Sequence, residues 1–350
     1  MADLKNTTID DTGFLELPSG TTAQRPSNPQ AGMIRWNTDV ELAELYNGTE
    51  WGPLVEIPID AQGGSVSDVS IEGVNYRIHA FTSTGTSTFT VNSIGTTDGE
   101  VDALIVGGGG AGGNDSTAGG AGGLVIVNDL PVVAQSYEVE VGAGGLTTTG
   151  SREHGFNGGD SSAFDFDALG GGGGGGTNSP VNSNCRRGLD GGSGGSNGRR
   201  AQSECNSANA GQSTQDTYFG STFAQGFGNN GRPQGRSSGP FHTGGAGGAG
   251  GLGQAATSSR PGDGGPGLDF SNLFTTAFGE DGWFAGGGGG TNDDNEGRQG
   301  GIGGGGFGGT PDGGNGMPNT GGGGGGFAGG GTGPAGLGGS GIVLIRYRIG

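Results

Sequence analysis

The feature that most constrains this chain is where its glycines fall. Residues 107–350 hold 82 of the 93 glycines, about one residue in three, whereas residues 1–106 hold 11. Runs such as 107–113, 170–176, 286–290 and 321–327 alternate with polar, aromatic-bearing spacers, the longest of them at 196–243. Collagen requires glycine at every third position with abundant proline, and here the 14 prolines are sparse and the glycines clustered. Scarce Leu, Ile, Val and Phe together with a net charge of -19 otherwise mark disorder.

Ordering a glycine costs about 0.5–1 kcal/mol more than ordering an alanine, so isolated runs would not fold. A bundle of left-handed polyproline II helices offers compensation. Residues without a Cβ let backbones approach and exchange N–H···O=C bonds worth about 1 kcal/mol each. Flexible linkers are Ser-rich and free of apolar residues, but these blocks carry Ile302, Phe307, Phe327 and Leu337. The expectation is an ordered bundle.

Before the boundary the sequence reads as short-strand β protein. Gly32–Asp39 and Leu42–Trp51 predict two strands with turns at Asn37-Thr38-Asp39 and Asn47-Gly48. In this first unit Trp36, Tyr46 and Trp51 are expected to supply most of the buried area. Gly73–Phe81 and Thr88–Val91 read as a hairpin, followed by strands at Val101–Val106, Leu124–Val127 and Tyr137–Val141. No clear strand then appears until Ile342–Ile349, which must return to the earlier sheet. The expected fold is therefore all-β with a polyglycine II (polyproline II-type) helix bundle. It divides into an N-terminal β module at 1–60, a linker at 61–72 and a glycine-rich domain at 73–350. That domain has a β-sandwich-like base (73–141 plus 342–349) and a bundle with loops at 142–341.

The stretch Gly13–Pro26 with Gly32–Asp39 and Tyr46–Trp51 resembles a short module of bacteriophage tail-fibre and other virion proteins, especially of phages infecting marine cyanobacteria. Val101–Val106 running into Gly107–Gly113, with the end on Ser340–Tyr347, is similar to the glycine-rich domain of phage fibres and tail-tip adhesins. The resemblance implies stacked polyglycine II helices with receptor-binding loops at the distal end. It also implies an N-terminal module that joins other virion or tail proteins or sister chains, fibre modules of this kind being commonly trimeric and tip adhesins also occurring as monomers seated on a trimer. The chain would be made in the host cytoplasm and exposed on the particle surface.

Little else in the sequence suggests chemistry. Gly107–Gly112 satisfies a dinucleotide-binding spacing, but Gly113–Gly120 cannot form the helix such a site needs. His79 lies in a predicted strand, while His154 and His242 lie in separate spacers without nucleophile or metal-ligand spacing, so no enzyme is expected. Phe164–Asp167 reads as a strand with one wet face. No cofactor is expected. The carboxylates, Asp293-Asp294-Asn295-Glu296 among them, leave room for a structural calcium at no assignable place. The acidic balance excludes nucleic acid as a partner. The start at Met1–Asn6 lacks an apolar export segment. Cys185 and Cys205 could be joined as a disulfide or stay as free thiols.

Recognition is expected in the spacers, because aromatics and arginine dominate binding hot spots. The candidates are Arg199, Arg200, Tyr218, Phe219, Arg232, Arg236, Phe241, His242, Trp283 and Phe284. The expected function is a virion tail fibre or tail-tip adhesin meeting a host polysaccharide or outer-membrane protein. A fibre or capsid decoration without a receptor, and an ice-binding polyglycine II protein, are the alternatives.

Overall fold

The computed structural model describes residues 13–97, 99–114, 116–148, 153–176, 187–198, 210–233, 242–292, 296–309, 312–327 and 334–349. The chain divides into two compact units, Met1–Pro58 and Ile59–Gly350.

In the first unit β1 (Ser19–Gly20), β2 (Ile34–Asn37), β3 (Leu42–Tyr46) and β4 (Trp51–Pro53) form one sheet in that order, with β1 parallel to β2 and the rest antiparallel. Asn47 makes the β3–β4 turn, its Oδ1 accepting from the N–H groups of Thr49 and Glu50 at 2.9 Å. The interior is not aromatic, as the sequence suggests, but polar. Trp36 is 40% exposed and Tyr46 and Trp51 are half-buried, whereas Arg35, Asn37 and Glu44 are buried. The alternation of β2 turns Ile34 and Trp36 to one face and Arg35 and Asn37 to the other. Glu44 accepts from Arg25 Nη2 at 2.6 Å, Arg35 Nη1 at 2.9 Å and Asn37 Nδ2 at 3.1 Å. The guanidinium of Arg25 holds its carboxyl below the usual carboxylate range, against the effect of burial.

The second unit begins at Ile59, so the whole stretch expected as a linker belongs to it. Residues 61–72 carry most of β5 (Asp60–Gln62) and β6 (Ser65–Ile71), which join different sheets. Gly64 makes the crossing possible: its φ is +60°, and a Cβ there would stand 2.7 Å from the carbonyl oxygen of Ala80. The strands expected from sequence follow as β7 (Val74–Phe81), β8 (Gly85–Ser93), β9 (Glu100–Val106), β10 (Leu124–Pro131) and β11 (Ser136–Val141). Within the span expected to lack strands come β12 (Ser161–Ala163), β13 (Phe166–Ala168), β14 (Ala224–Phe227), β15 (Leu268–Asp269), a single helical turn α1 (Ser271–Phe274) and β16 (Trp283–Phe284). The last strand is β17 (Ile342–Arg348).

One sheet has the order β14-β10-β9-β17-β7-β6 and the other β13-β12-β11-β8-β5. The C-terminal strand is central, antiparallel to both β7 and β9. Phe81, Phe89, Val91, Ile105, Val125, Val139, Val343 and Ile345 fill the space between the sheets. On the other face of the six-stranded sheet Ile78, Leu104, Val106, Leu124 and Leu344 pack with Phe274 and Phe284. A sheet covered on both faces explains why its central strands are apolar without alternation. Arg346 ties this outer layer to the sheet, donating to Asp102 at 2.8 Å and to the carbonyl of Leu273 at 2.7 Å.

The glycine runs are ordered against one another with a period of three. Gly107 and Gly110 donate to Gly123 and Gly120; Gly108 and Ala111 donate to Gly159 and Phe156; Gly109 and Gly112 donate to Gly339 and Gly336, all at 2.8–2.9 Å. The same run accepts from Gly171 and Gly174, from Gly145 and from Gly324, at 2.8–2.9 Å. It therefore has six neighbours. Alanine methyls are buried within this packing at Ala111, Ala118 and Ala121, but a Cβ on Gly108, Gly109 or Gly110 would overlap the carbonyl of Ala143, Gly322 or Gly172.

Candidate functional site

Most of the described spacer aromatics are committed to packing. Phe284 is fully buried beneath the six-stranded sheet, and Trp283 is half-buried in β16, paired with β15. His242 is buried, bridged to Asn292. Arg232 is half-buried and donates from Nε to the carbonyl of Gly253 at 3.1 Å. Tyr218 is bound to β13: its Oη accepts from the N–H of Asp167 at 2.8 Å and donates to the carbonyl of the same residue at 3.2 Å. Its ring stands edge-on to Phe166. Burial pushes its phenol pKa up. Phe219, next in sequence, is fully exposed on the turn that Tyr218 anchors. Arg199, Arg200, Arg236, Phe241, Cys185 and Cys205 lie outside the described residues.

Tyr218 supports a feature that the sequence hides. Phe164–Asp167 is not one strand: Ala163 pairs with Phe166, so Phe164 and Asp165 form a two-residue hairpin turn between β12 and β13. Both have left-handed backbones, with φ +55° and +63°, a conformation that hairpins normally give to Asn-Gly and that is unfavourable for a bulky residue. Phe164 is held there by rings, 5.0 Å from Tyr137 and 6.1 Å from Phe89. Between this hairpin and the β10–β11 connection lies a groove of about 690 Å³, lined by Pro131, Val133, Tyr137, Phe164 and the carboxylates of Glu138, Asp165 and Asp167. Among the described residues no Lys or Arg lines it. Its chemistry suits ligands that donate hydrogen bonds and present an apolar face.

A second surface is built by the runs. Runs 155–159, 142–146, 334–341, 313–317, 304–308 and 298–302 lie side by side, joined by Phe156 N–Leu146 O (3.0 Å), Gly338 N–Gly145 O (2.9 Å), Gly316 N–Leu337 O (2.8 Å), Gly314 N–Phe307 O (2.6 Å) and Gly308 N–Arg298 O (2.9 Å). Their inner side bonds to the runs behind, as in Gly145 N–Gly109 O, Gly325 N–Gly314 O and Gly301 N–Gly287 O, each at 2.8 Å. From the outer side project Leu146, Phe156, Leu337, Met317, Phe307 and Ile302, one per run and 38–64% exposed. Exposure repeats every third residue: Ala143 with Leu146, Pro334 with Leu337, Gln299 with Ile302.

Among the described residues no group of three or more His, Cys, Asp or Glu side chains is placed to hold a metal ion, and no helix is long and apolar enough to cross a membrane. The run 107–112, which has the dinucleotide-binding spacing, has already donated its N–H groups to neighbouring runs.

These features define a nearly all-β protein whose glycine runs are packed as an ordered part of the fold. The chain belongs to the glycine-rich domain family, which it matches over residues 82–348. No curated protein matches it.

Proposed function

We propose that the chain is a virion surface protein, a bacteriophage tail fibre or tail-tip adhesin. In this reading the N-terminal unit joins another virion component or sister chains, and the glycine-rich unit meets a host polysaccharide or outer-membrane protein. The observation that carries the reading is the division of labour in the second unit. The runs make most of their backbone hydrogen bonds among themselves, so exposed spacer positions that pack on nothing, such as Phe219, can change in sequence without cost to the scaffold, as a recognition surface requires. The runs are read as polyglycine II helices, because a donor repeat of three residues with six neighbours is what a threefold helix in a hexagonal bundle produces. The exposed Phe219 and the groove beside Phe164 and Asp165 are the described places best suited to a receptor, aromatic faces and carboxylates together matching a saccharide.

Two measurements test this. Antibody against the purified chain should label intact particles in electron micrographs; unlabelled particles would sink the reading. The purified chain should compete with particles for host cells, and a Phe219→Ala, Asp165→Ala variant should compete less. Labelled particles without competition would make it a fibre or decoration protein that binds no receptor. Ice binding needs a flat face of small side chains in register, whereas the exposed run layer carries Phe, Leu, Ile and Met of unequal length.

A further inference from the structure

We propose that the groove beside Phe164 and Asp165 takes a cationic saccharide, one whose units carry free amino groups. The proposal rests on the reading of the groove as a receptor site and names the class of sugar it takes.

Charge carries it furthest. Glu138 on β11, Asp165 in the hairpin turn and Asp167 on β13 open onto one space of about 690 Å³. All three are exposed, and among the described residues none of their carboxylates has a hydrogen-bond or ion-pair partner. Arginines of the second unit are placed on other carboxylates: Arg77 on Asp68, Arg187 on Asp190, Arg298 on Asp263 and Arg346 on Asp102, at 2.6–2.8 Å. Like charges gathered in a groove concentrate cations there, and a ligand that brings positive charge relieves their repulsion. A neutral sugar would leave that repulsion in place, and an acidic one would add to it.

Much of the remaining lining is apolar. Pro131, Val133 and the half-buried rings of Tyr137 and Phe164 border the same space. An ammonium within about 6 Å of a ring face is attracted by the ring quadrupole, and the apolar face of a sugar ring packs on aromatic carbon. A bare divalent cation would instead need oxygen ligands on several sides, and among the described residues no group of three or more acidic, His or Cys side chains is placed to hold one.

Two phenols fix the walls and close off backbone recognition. Tyr137 Oη accepts from the N–H of Val133 at 2.9 Å and donates to its carbonyl at 3.3 Å, as Tyr218 does for Asp167. Gln215 Nε2 adds a bond to the Asp167 carbonyl at 2.9 Å. β13 is the last strand of its sheet, yet the backbone groups of its central residue are taken. An extended peptide adding a strand there would find its partners occupied, whereas a saccharide needs only side chains. Walls held in place before binding also lower the ordering cost of the complex.

Isothermal titration calorimetry on the full chain at about pH 6, where a primary amine is protonated, tests this with a chitosan oligosaccharide and the N-acetylated chitin oligosaccharide of equal length. The amino form should bind at least about tenfold more tightly than the acetylated form, and Glu138→Gln with Asp165→Asn should weaken it by about tenfold or more. Asn accepts the left-handed backbone at position 165, so this variant keeps the turn. Glu41→Gln with Asp312→Asn removes the same charge elsewhere and should leave binding unchanged. An equal loss in that control, or oligolysine bound as tightly as chitosan, would mean general attraction to an acidic chain and overturn the proposal. Equal binding of the acetylated form would overturn it while keeping the groove as a saccharide site. Binding of neither sugar would overturn it as well; the virion reading then stands or falls on particle labelling and competition for host cells, which do not depend on the charge of the sugar.

Discussion

His79 and Tyr347 meet between adjacent strands β7 and β17, Nε2 to Oη at 3.1 Å, and both side chains are buried. His79 Nδ1 lies 2.7 Å from the carbonyl oxygen of Gly63, which can only accept, so Nδ1 carries the proton and Nε2 accepts from the phenol. One neutral imidazole thus joins the Gly63-Gly64 crossing, the first long strand of the base and the last strand of the chain.

Burial pushes the His79 pKa down and that of Tyr347 up, so both stay neutral in the fold. An unfolded histidine titrates near 6.5. The folded state binds its proton only at lower pH, so stability is complete above about 6.5 and falls as pH drops toward the folded value. The carboxylates held low by arginine, Glu44 and Asp68, contribute stability above about 4.5 and lose it only in stronger acid. Thermal midpoints should therefore fall between pH 6.5 and 5, and His79→Gln should flatten that interval while lowering the midpoint at pH 7.

Interior run glycines should not tolerate a methyl group. Gly110→Ala would drive a Cβ into the carbonyl of Gly172, and rigid backbone on all sides gives it nowhere to move; a loss of about 3 kcal/mol or more is expected. Gly251→Ala is the control, since its Cβ would meet only the ring carbons of Pro266 at 3.3 Å. Its midpoint should stay close to the parent's in a calorimetric scan.

The first unit should fail when its carboxylate is removed. Glu44→Ala leaves Arg25 and Arg35 facing an empty interior, and breaking a buried ion pair from one side costs about 3–5 kcal/mol. Two of the chain's three tryptophans, Trp36 and Trp51, lie in this unit. Their fluorescence should report early unfolding while the far-ultraviolet signal of the second unit persists.

Tyr218 and Phe219 should separate structure from contact. Tyr218→Phe removes the phenol that holds Asp167 and should cost about 1 kcal/mol. Phe219→Ala touches nothing in the chain and should leave stability within about 0.5 kcal/mol. Chemical denaturation of the two variants decides the matter; equal losses would mean that Phe219 is also structural.

Strands were legible where apolar side chains repeat or run unbroken, as at Val101–Val106 and Ile342–Arg348, because that pattern is local. Strands β5 and β6 were not, since Ser and Asp on a strand with one exposed face resemble linker composition. The hairpin at Phe164-Asp165 hides because neither residue is a turn former; rings from distant strands hold it. The polar interior of the first unit runs against side-chain size, which places the aromatics inside, although the alternation of Ile34, Arg35, Trp36 and Asn37 marks two faces. Which of the two is inside depends on Arg25 and Glu44, brought together from nineteen residues apart.

The sequence by itself determined that the glycine runs must pack on one another and that the final strand must rejoin the first ones. Unpaired glycine cannot meet its ordering cost, and an apolar strand needs a sheet. Only the tertiary structure decided which run neighbours which, and therefore which side chains are left outward. A glycine run carries no side-chain code for its partners. Run length, the connecting spacers and the few positions where a methyl fits choose the neighbours, and they leave one face of the bundle lined by Leu146, Phe307 and Leu337.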